Sequence, residues 1–362
     1  MRLELFDYPL PPERIAQTPI EPRDASRLLV LHADGTREHR RFLDLPELLS
    51  PGDLLVFNDT RVLPARLFGR KETGASVELL LLQRHRAGVW EGLVYPGRRL
   101  KEGARILFGG TGTEEAPALV AEVTGRGEEG TRILQFSLPN GGDGEAVDEL
   151  LHLLGRVPLP PYIHEQLDDP ERYQTLYARE EGSAAAPTAG LHFTERVFQA
   201  LEAKGVGTAF VTLHVGIGTF RPVKTEIVEE HEMHAEWYHV PEETARAVRE
   251  CRRRVVAVGT TTLRALESAA VGPRELRSGG GLTRLYCTPG YRFQIADALL
   301  TNFHMPCSSL LILVSAFAGL EPIRAAYQEA LETGYRFLSF GDAMLMERAH
   351  GDGETERHGD GA

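Results

Sequence analysis

The feature that most constrains the fold is a block of short apolar segments, residues 66–154, which interrupts a chain that otherwise alternates strands with helices. Glycine- or proline-containing stretches separate the apolar segments of this block, which lie at 77–82, 89–94, 105–108, 119–123 and 132–138. Short strands at such spacing are typical of an antiparallel barrel or sandwich. The block therefore predicts an all-β domain inserted into the rest of the protein.

The two flanking parts predict one layered α/β domain. Strands are predicted at 53–57, 209–215 and 254–258, and helices at 195–204, 241–252, 262–270 and 321–333. The apolar run 310–317 fits either a helix or a strand. Alternating strands and helices indicate α/β layers. We expect residues 1–65 and 155–345 to form this domain, 66–154 to be the insertion, and 346–362 to be a disordered polar tail.

Composition and charge restrict the class of protein. Fifty-two acidic against forty basic residues give a net charge of −12, which argues against a protein that coats nucleic acid non-specifically. The run 310–320 is too short to cross a membrane, and the first residues lack the apolar core of a secretory signal. The three cysteines are far apart, which argues against a disulfide framework and a cysteine zinc site. We expect a soluble, cytoplasmic enzyme.

Polar and small residues are concentrated where predicted strands end, which is where open α/β sheets bind ligands. The first such cluster follows strand 53–57 and consists of Asn58, Asp59, Thr60 and Arg61. It also fits a simple Asx turn. The second cluster allows close approach of backbone to a ligand and consists of Pro187, Thr188, Ala189 and Gly190. His192 follows it between two apolar residues, a setting that also fits a structural histidine.

A third cluster predicts an anion site at the start of a helix. Strand 254–258 leads into Gly259 and three threonines, Thr260, Thr261 and Thr262. Free backbone N–H groups and hydroxyls at a helix N-terminus bind anions, and Arg264 would add a guanidinium. A plain threonine cap is the alternative. The segment lacks the Lys-Ser/Thr pair of a P-loop.

Histidines and carboxylates form the remaining candidates. His231, His234 and Glu236 lack the HExxH spacing of a zinc site, so we expect proton transfer there and no metal. Gly216 and Gly218 lack the third glycine of a dinucleotide loop, so we expect no NAD site. The other titratable candidates near predicted strand ends are His214, Asp297 and His304.

Long strings of residues run in chain order from near the N-terminus to about residue 345. Among them are FNDTRVLPARL (57–67), GRVPLPPYI (155–163), ERYQTLYA (171–178), AAPTAGLHFT (185–194), LHVGIGTFRPV (213–223), HEMHAEWY (231–238), VGTTTLRALES (258–268), DALLTNFHMP (297–306) and YRFLSFGDAML (335–345). In these strings the chain resembles the S-adenosylmethionine:tRNA ribosyltransferase-isomerase family of queuosine biosynthesis. The departures are mild, such as Met305 where family members more often have Leu.

The resemblance implies both a fold and a reaction. The fold is an α/β domain with an inserted antiparallel β-barrel. The enzyme transfers and isomerises the ribosyl moiety of S-adenosylmethionine onto 7-aminomethyl-7-deazaguanine at the wobble position of a tRNA. Adenine and methionine leave, and the product is epoxyqueuosine-tRNA. No cofactor is implied beyond the co-substrate S-adenosylmethionine, and no metal or membrane.

The resemblance also implies where substrates lie. S-adenosylmethionine is expected over the clusters at 58–61, 187–190 and 259–262 with Arg264, and its carboxylate is expected at the helix N-terminus. Proton transfer is expected from a set in which His214 is the first choice for the base that removes a 5′ proton: His192, His214, His231, His234, Glu236, Asp297 and His304. Phosphates of the tRNA are expected at Arg61, Arg66, Arg252, Arg253 and Arg254.

Two other functions remain open from the sequence. One is a different glycosyl transfer to a nucleoside, with the same sites and no tRNA. The other is a non-enzymatic RNA-binding adaptor whose α/β part is a scaffold. Release of adenine from S-adenosylmethionine in the presence of substrate tRNA would separate all three.

Overall fold

The computed structural model describes residues 1–97, 100–109, 116–127, 130–216 and 223–349. The helices are α1 (Leu45–Leu48), α2 (Gly144–Leu154), α3 (Glu195–Ala203), α4 (Glu242–Glu250), α5 (Thr260–Ala269), α6 (Ser309–Ala318) and α7 (Leu320–Glu332). The strands are β1 (Arg27–Leu31), β2 (Arg37–Arg41), β3 (Leu54–Asn58), β4 (Thr60–Val62), β5 (Arg66–Lys71), β6 (Ser76–Arg86), β7 (Val89–Tyr95), β8 (Arg105–Phe108), β9 (Leu119–Arg126), β10 (Arg132–Ser137), β11 (Glu180–Ser183), β12 (Gly207–Leu213), β13 (Glu236–Val240), β14 (Val255–Val258), β15 (Ala270–Gly272), β16 (Glu275–Leu276), β17 (Gly279–Thr283), β18 (Ala298–Asn302) and β19 (Ala343–Glu347).

The larger sheet has the strand order β17-β13-β12-β3-β14-β18-β19-β1-β2. Four adjacent strands of this sheet, β12, β3, β14 and β18, run parallel to one another. Their carboxyl ends therefore lie together along one edge, which we call the carboxyl edge. Strand β19 runs antiparallel to β18, and therefore its first residues also lie at this edge. Strands β3, β14 and β18 are buried along their whole length, as expected for parallel strands covered on both faces.

Helices cover both faces of this sheet. The core on one face includes apolar residues of α4, α5, α6 and α7, and the core on the other face includes residues of α1 and α3. This is the layered α/β arrangement that the alternating pattern predicts.

The inserted block forms a closed barrel with the strand order β10-β7-β6-β5-β8-β9, in which adjacent strands run antiparallel. The barrel has a core of its own, to which α2 adds Val147 and Leu151. The predicted fold class is confirmed. Because the inserted sheet closes on itself, the domain is a barrel and not a sandwich. The first barrel strand begins at Arg66 and α2 ends at Leu154. The division into domains stays a prediction with which these bounds agree.

Two details differ from, or complete, the sequence prediction. The ambiguous run at 310–317 is a helix, because the Ser308 hydroxyl accepts a hydrogen bond from the Leu311 N–H at 3.2 Å and Gly319, with φ of 91°, ends α6. The predicted tail begins too early at 346, because Met346 and Glu347 pair with β18 and the N–H groups of Arg348 and Ala349 donate to the carbonyls of Asp297 and Phe317. Residues 350–362 of the predicted tail lie outside the described residues.

Within the described residues, no single helix is both long enough and apolar enough to cross a membrane. Helices α6 and α7 taken together have that length and apolar character, but they are bent by 115° at their junction.

Candidate active site

A cavity of about 400 Å³ lies at the carboxyl edge. Segments that are remote in sequence converge on it: the start of α5, the end of β18 and the residues after it, the turn before α3, and the segment before β19. Its polar lining side chains are Tyr162, Tyr173, Thr188, Thr260, Thr261, Thr301, Asn302, His304, Ser308 and Ser339. A volume of this size falls in the range of about 300–1,000 Å³ that is usual for small-molecule sites.

The first turn of α5 forms one wall. Gly259 has a φ of 93°, a conformation that only glycine adopts easily, and this turns the chain from β14 into the helix. Thr260 and Thr261, two of the predicted binding residues, line the cavity together with Gly259. Thr262 is directed inward instead, because its hydroxyl donates to the Val258 carbonyl at 2.6 Å. The first backbone N–H groups of an α-helix have no partner within it, so this wall can bind an anion.

Asn302 forms a second wall and is held in one orientation. Its Oδ1 accepts from the Thr188 hydroxyl at 2.8 Å, and its Nδ2 lies 3.1 Å from His192 Nε2. Burial lowers the pKa of His192 to about 4, so the ring is neutral and Nε2 accepts from the amide. The other ring nitrogen then donates to the Ser26 hydroxyl, 2.8 Å away. Since both nitrogens of His192 are occupied, this arrangement favours a positioning role over the predicted proton transfer.

His304 lines the cavity directly. Its Nε2 lies 3.1 Å from the Thr301 hydroxyl, and the backbone is held by Tyr327, whose hydroxyl accepts from the His304 N–H at 2.9 Å. Burial lowers the pKa of His304 to about 3, so the imidazole is neutral. Among the seven predicted proton-transfer residues, all of which the structure describes, His304 is the one that lines the cavity.

Two tyrosines in the cavity wall are absent from the predicted site. The Tyr162 hydroxyl lies 2.7 Å from that of Ser339. The Tyr173 hydroxyl is fully buried near Ser339 and the Ala186 backbone, but within the described residues it has no partner in good hydrogen-bond geometry. A buried polar atom without a partner is rare, and one in a cavity wall fits a ligand group. Both belong to strings that carry the family resemblance, 155–163 and 171–178, but nothing in those strings shows which way a ring points.

The polar cluster after β3 lies behind the cavity wall rather than in it. Asn58 is fully buried; its Nδ2 donates to the Leu213 carbonyl at 2.9 Å and to the Thr261 hydroxyl at 3.2 Å. Asp59 accepts from Thr212 at 2.7 Å. The remaining contacts of the cluster lie away from the cavity. Asp59 forms an ion pair with Arg179 at 2.6 Å, the Thr60 hydroxyl is hydrogen-bonded to His214 at 2.8 Å, and Arg61 forms an ion pair with Glu171 at 2.5 Å. The cluster thus joins β3 to β12, β11 and α5.

His214, the first choice for the base, lies beside the cavity. Its Nδ1 is 2.8 Å from the Thr60 hydroxyl and its ring stacks on Trp237 with centroids 5.0 Å apart. Burial lowers its pKa below the ordinary value. The next residue, Val215, lines the cavity, and His214 does not. Its predicted role stays a prediction that this geometry does not favour.

Glu236 and Arg264 form a buried ion pair with each other. Glu236 also accepts from the Gly216 N–H at 2.9 Å, and Arg264 Nε donates to the Leu285 carbonyl at 3.2 Å. Neither lines the cavity, so a direct contact of Arg264 with the ligand carboxylate is not favoured.

The other predicted residues are also distributed away from the cavity. Asp297 accepts from the Val255 N–H at 2.7 Å, which places it at the edge opposite the carboxyl edge. Gly190 is required by packing, since a Cβ there would meet the Tyr177 hydroxyl. His231 contacts Tyr286 edge-on, and burial together with the nearby His234 lowers its pKa. In the described parts of the chain, no three His, Cys, Asp or Glu side chains are grouped to hold a metal ion.

A family model described as "Queuosine biosynthesis protein" matches residues 3–346. The chain belongs to this family. It is 55% identical to the S-adenosylmethionine:tRNA ribosyltransferase-isomerase of Moorella thermoacetica and 54% identical to that of Symbiobacterium thermophilum, over 96% of this chain and 100% of each relative. It is also similar to the crystal structure of S-adenosylmethionine tRNA ribosyltransferase from Thermotoga maritima, with a TM-score of 0.53, 43% identity and coverage of 94% of this chain and 99% of that one. The family predicted from the sequence is confirmed.

Proposed function

We propose that this protein transfers and isomerises the ribosyl moiety of S-adenosylmethionine onto 7-aminomethyl-7-deazaguanine at the wobble position of a tRNA. The proposal rests on one observation: most of the residues that line the cavity belong to the strings that carry the family resemblance. These strings are 155–163, 171–178, 185–194, 258–268, 297–306 and 335–345. Since tRNA is the substrate, we place the protein in the cytoplasm.

The cavity offers a partner for each part of S-adenosylmethionine. The carboxylate of the methionine part would bind the N–H groups and hydroxyls at the start of α5, Thr260 and Thr261. The sulfonium is a cation that aromatic faces attract, and Tyr162 and Tyr173 supply such faces. For the adenine edge, the Tyr173 hydroxyl supplies a donor, and Asn302 Oδ1 and the Ser339 hydroxyl can each accept a further hydrogen bond beside the ones they already make.

The chemistry needs a proton acceptor near the sulfonium. A sulfonium acidifies the neighbouring 5′ C–H, and a neutral imidazole can take that proton. His304 lines the cavity and His214 does not, so we assign this step to His304. Adenine leaves with a proton, the aminomethyl nitrogen of the tRNA base bonds to the ribosyl carbon skeleton, and closure of the epoxide expels methionine.

The test measures the release of adenine by chromatography, with each of three acceptors in turn. Wild-type protein and S-adenosylmethionine are incubated with tRNA that carries 7-aminomethyl-7-deazaguanine, with the same tRNA carrying guanine, and with the free modified nucleoside. We expect adenine and methionine in equal amounts with the first acceptor only. Equal release with the free nucleoside would support the glycosyl transfer without tRNA. Binding of tRNA without any adenine would support the adaptor.

A further inference from the structure

An aromatic row faces outward on the barrel. Phe68 on β5 pairs with Glu78 on β6, which pairs with Tyr95 on β7. Phe68 is 53% and Tyr95 is 74% exposed. The adjacent residues Leu67 and Val94 are buried in the barrel core, so the alternation of the strands directs the row toward solvent. Two large exposed rings in one row mark an interaction surface rather than packing.

Two arginines make this surface cationic in a protein with a net charge of −12. The Arg156 guanidinium lies over the Phe68 ring, with Cζ 5.4 Å from the centroid, and Arg70 is two residues from Phe68 on the same face of β5. Within the described residues neither arginine makes a salt bridge. Glu78, between the two rings, is neutralised by Arg66 Nε at 3.2 Å. The positive charge of Arg70 and Arg156 is therefore available to a partner.

The surface is continuous with the proposed active site. The backbone of Arg156 is joined to that of Arg66 by hydrogen bonds of 2.8 and 3.0 Å. From there the chain leads to Pro161 and Tyr162 in the cavity wall. The six residues 157–162 span at most about 22 Å when fully extended. A short stretch of unpaired RNA can therefore reach from the row to the cavity.

We infer that Phe68 and Tyr95, with Arg70 and Arg156, stack on unpaired anticodon-loop bases next to the base that enters the cavity. Single-stranded RNA is held by aromatic side chains that stack on bases and by cations that contact the backbone, and this surface supplies both. The inference rests on the proposed function, since it takes tRNA as the substrate. We call the four residues the barrel platform.

The test measures affinity without turnover. Binding of an anticodon stem-loop RNA is followed by fluorescence anisotropy for wild type and for the double variant Phe68→Ala/Tyr95→Ala. Because each stacked base contributes substantially, we expect the Kd to rise about 5- to 100-fold. We also expect kcat at saturating tRNA, and KM for S-adenosylmethionine, to stay within about twofold, since neither ring lines the cavity.

Two variants serve as controls. Phe68→Tyr/Tyr95→Phe keeps both rings and should bind RNA as the wild type does. Leu282→Ala removes an apolar side chain that is 72% exposed on β17 and should leave RNA affinity unchanged. Both rings of the platform are exposed, so the melting temperature of the double alanine variant should match that of Leu282→Ala.

Three outcomes contradict the proposals separately. If the Kd of the double alanine variant is within about twofold of that of the wild type, the barrel platform does not bind RNA, whether or not adenine is released. The aromatic row would then be a contact surface for another protein. Wild-type protein that binds no RNA overturns the platform as well. Wild-type protein that binds RNA through the platform but releases no adenine overturns the proposed reaction alone.

Discussion

At the scale of single residues, the surroundings distinguish the histidines that the sequence offers together as proton-transfer candidates. His192 and His304 are buried and neutral, with pKa values lowered to about 4 and about 3. His192 has a partner on each ring nitrogen, whereas His304 lines the cavity. His214 is half-buried and bonded to Thr60. Their different surroundings imply different roles in the reaction.

We predict that His304→Ala slows exchange of the 5′ hydrogens of S-adenosylmethionine with deuterated solvent by about 10²-fold or more, with little change in its binding. His214→Ala should have a smaller effect. NMR of S-adenosylmethionine incubated with each variant in D₂O measures the exchange. A large loss for His214→Ala and none for His304→Ala would return the role to His214.

The pH dependence gives a second readout of the same assignment. A base must be unprotonated, so the rate falls only as the pH falls through its pKa. With His304 as the base, whose pKa is about 3, this group causes no fall in kcat/KM between about pH 8 and pH 5. A fall within that range that disappears in the His214 variant would indicate His214, whose pKa is lowered by burial.

At the scale of elements, the junction of β14 and α5 places the proposed anion site at the carboxyl edge. Gly259 combines φ of 93° with ψ of 149°, and its N–H donates to the Leu300 carbonyl at 2.7 Å. This region of backbone conformation is essentially restricted to glycine. The sequence order strand, glycine, threonines, helix is therefore required by the geometry.

We predict that Gly259→Ala lowers the free energy of unfolding by about 1–3 kcal/mol and raises KM for S-adenosylmethionine. The matched control is Gly290→Ala, because Gly290 has a φ of 100°, is exposed and has open space around it. The control should lose stability without a change in KM. Denaturant unfolding and steady-state kinetics measure the two effects. An equal KM in the two variants would contradict an anion site at this helix.

At the scale of the whole molecule, the cavity depends on buried neutral groups that tie distant segments together. Asn302 at the end of β18 contacts Thr188 and His192, and His192 contacts Ser26 near the start of the chain. Protonation of such a group would break these contacts. Stability and the integrity of the site are thus linked to pH.

We predict that the free energy of unfolding falls as the pH falls from about 6.5 toward 4. In this window the unfolded chain takes up protons at His192 and His304 that the folded protein, with pKa values of about 4 and about 3, does not. Each histidine contributes at most about 1.4 kcal/mol per pH unit. Full stability from these groups is present above about pH 6.5.

Urea unfolding at several pH values measures this slope, and His192→Gln is the control. Buried Glu267 and Asp342, whose pKa values are raised by desolvation, oppose the trend in wild type and variant alike. The difference between the two slopes therefore reports His192. Identical slopes would contradict the neutral buried state of this ring.

The sequence by itself determined the layered α/β pattern, the insertion at 66–154 and the family. Periodicity and turn residues are local, so each segment carries its own signal, and the order of the long strings needs no structure. Six of its thirteen ligand-binding candidates line the cavity, and their part in binding stays a prediction: Pro187, Thr188, Ala189, Gly259, Thr260 and Thr261. These follow strand ends, where backbone topology alone brings them to one edge.

Only the tertiary structure decided which polar side chains face the ligand cavity and which serve the scaffold. Asn58 and Glu236 are polar residues of the kind expected in a binding site, but they are hydrogen-bonded to Leu213 and Arg264. Tyr173 resembles a core residue in the sequence, but it lines the cavity, and within the described residues its hydroxyl has no partner in good hydrogen-bond geometry. The partner of a buried polar group lies far away in sequence, so its role is fixed by packing and not by its neighbours along the chain.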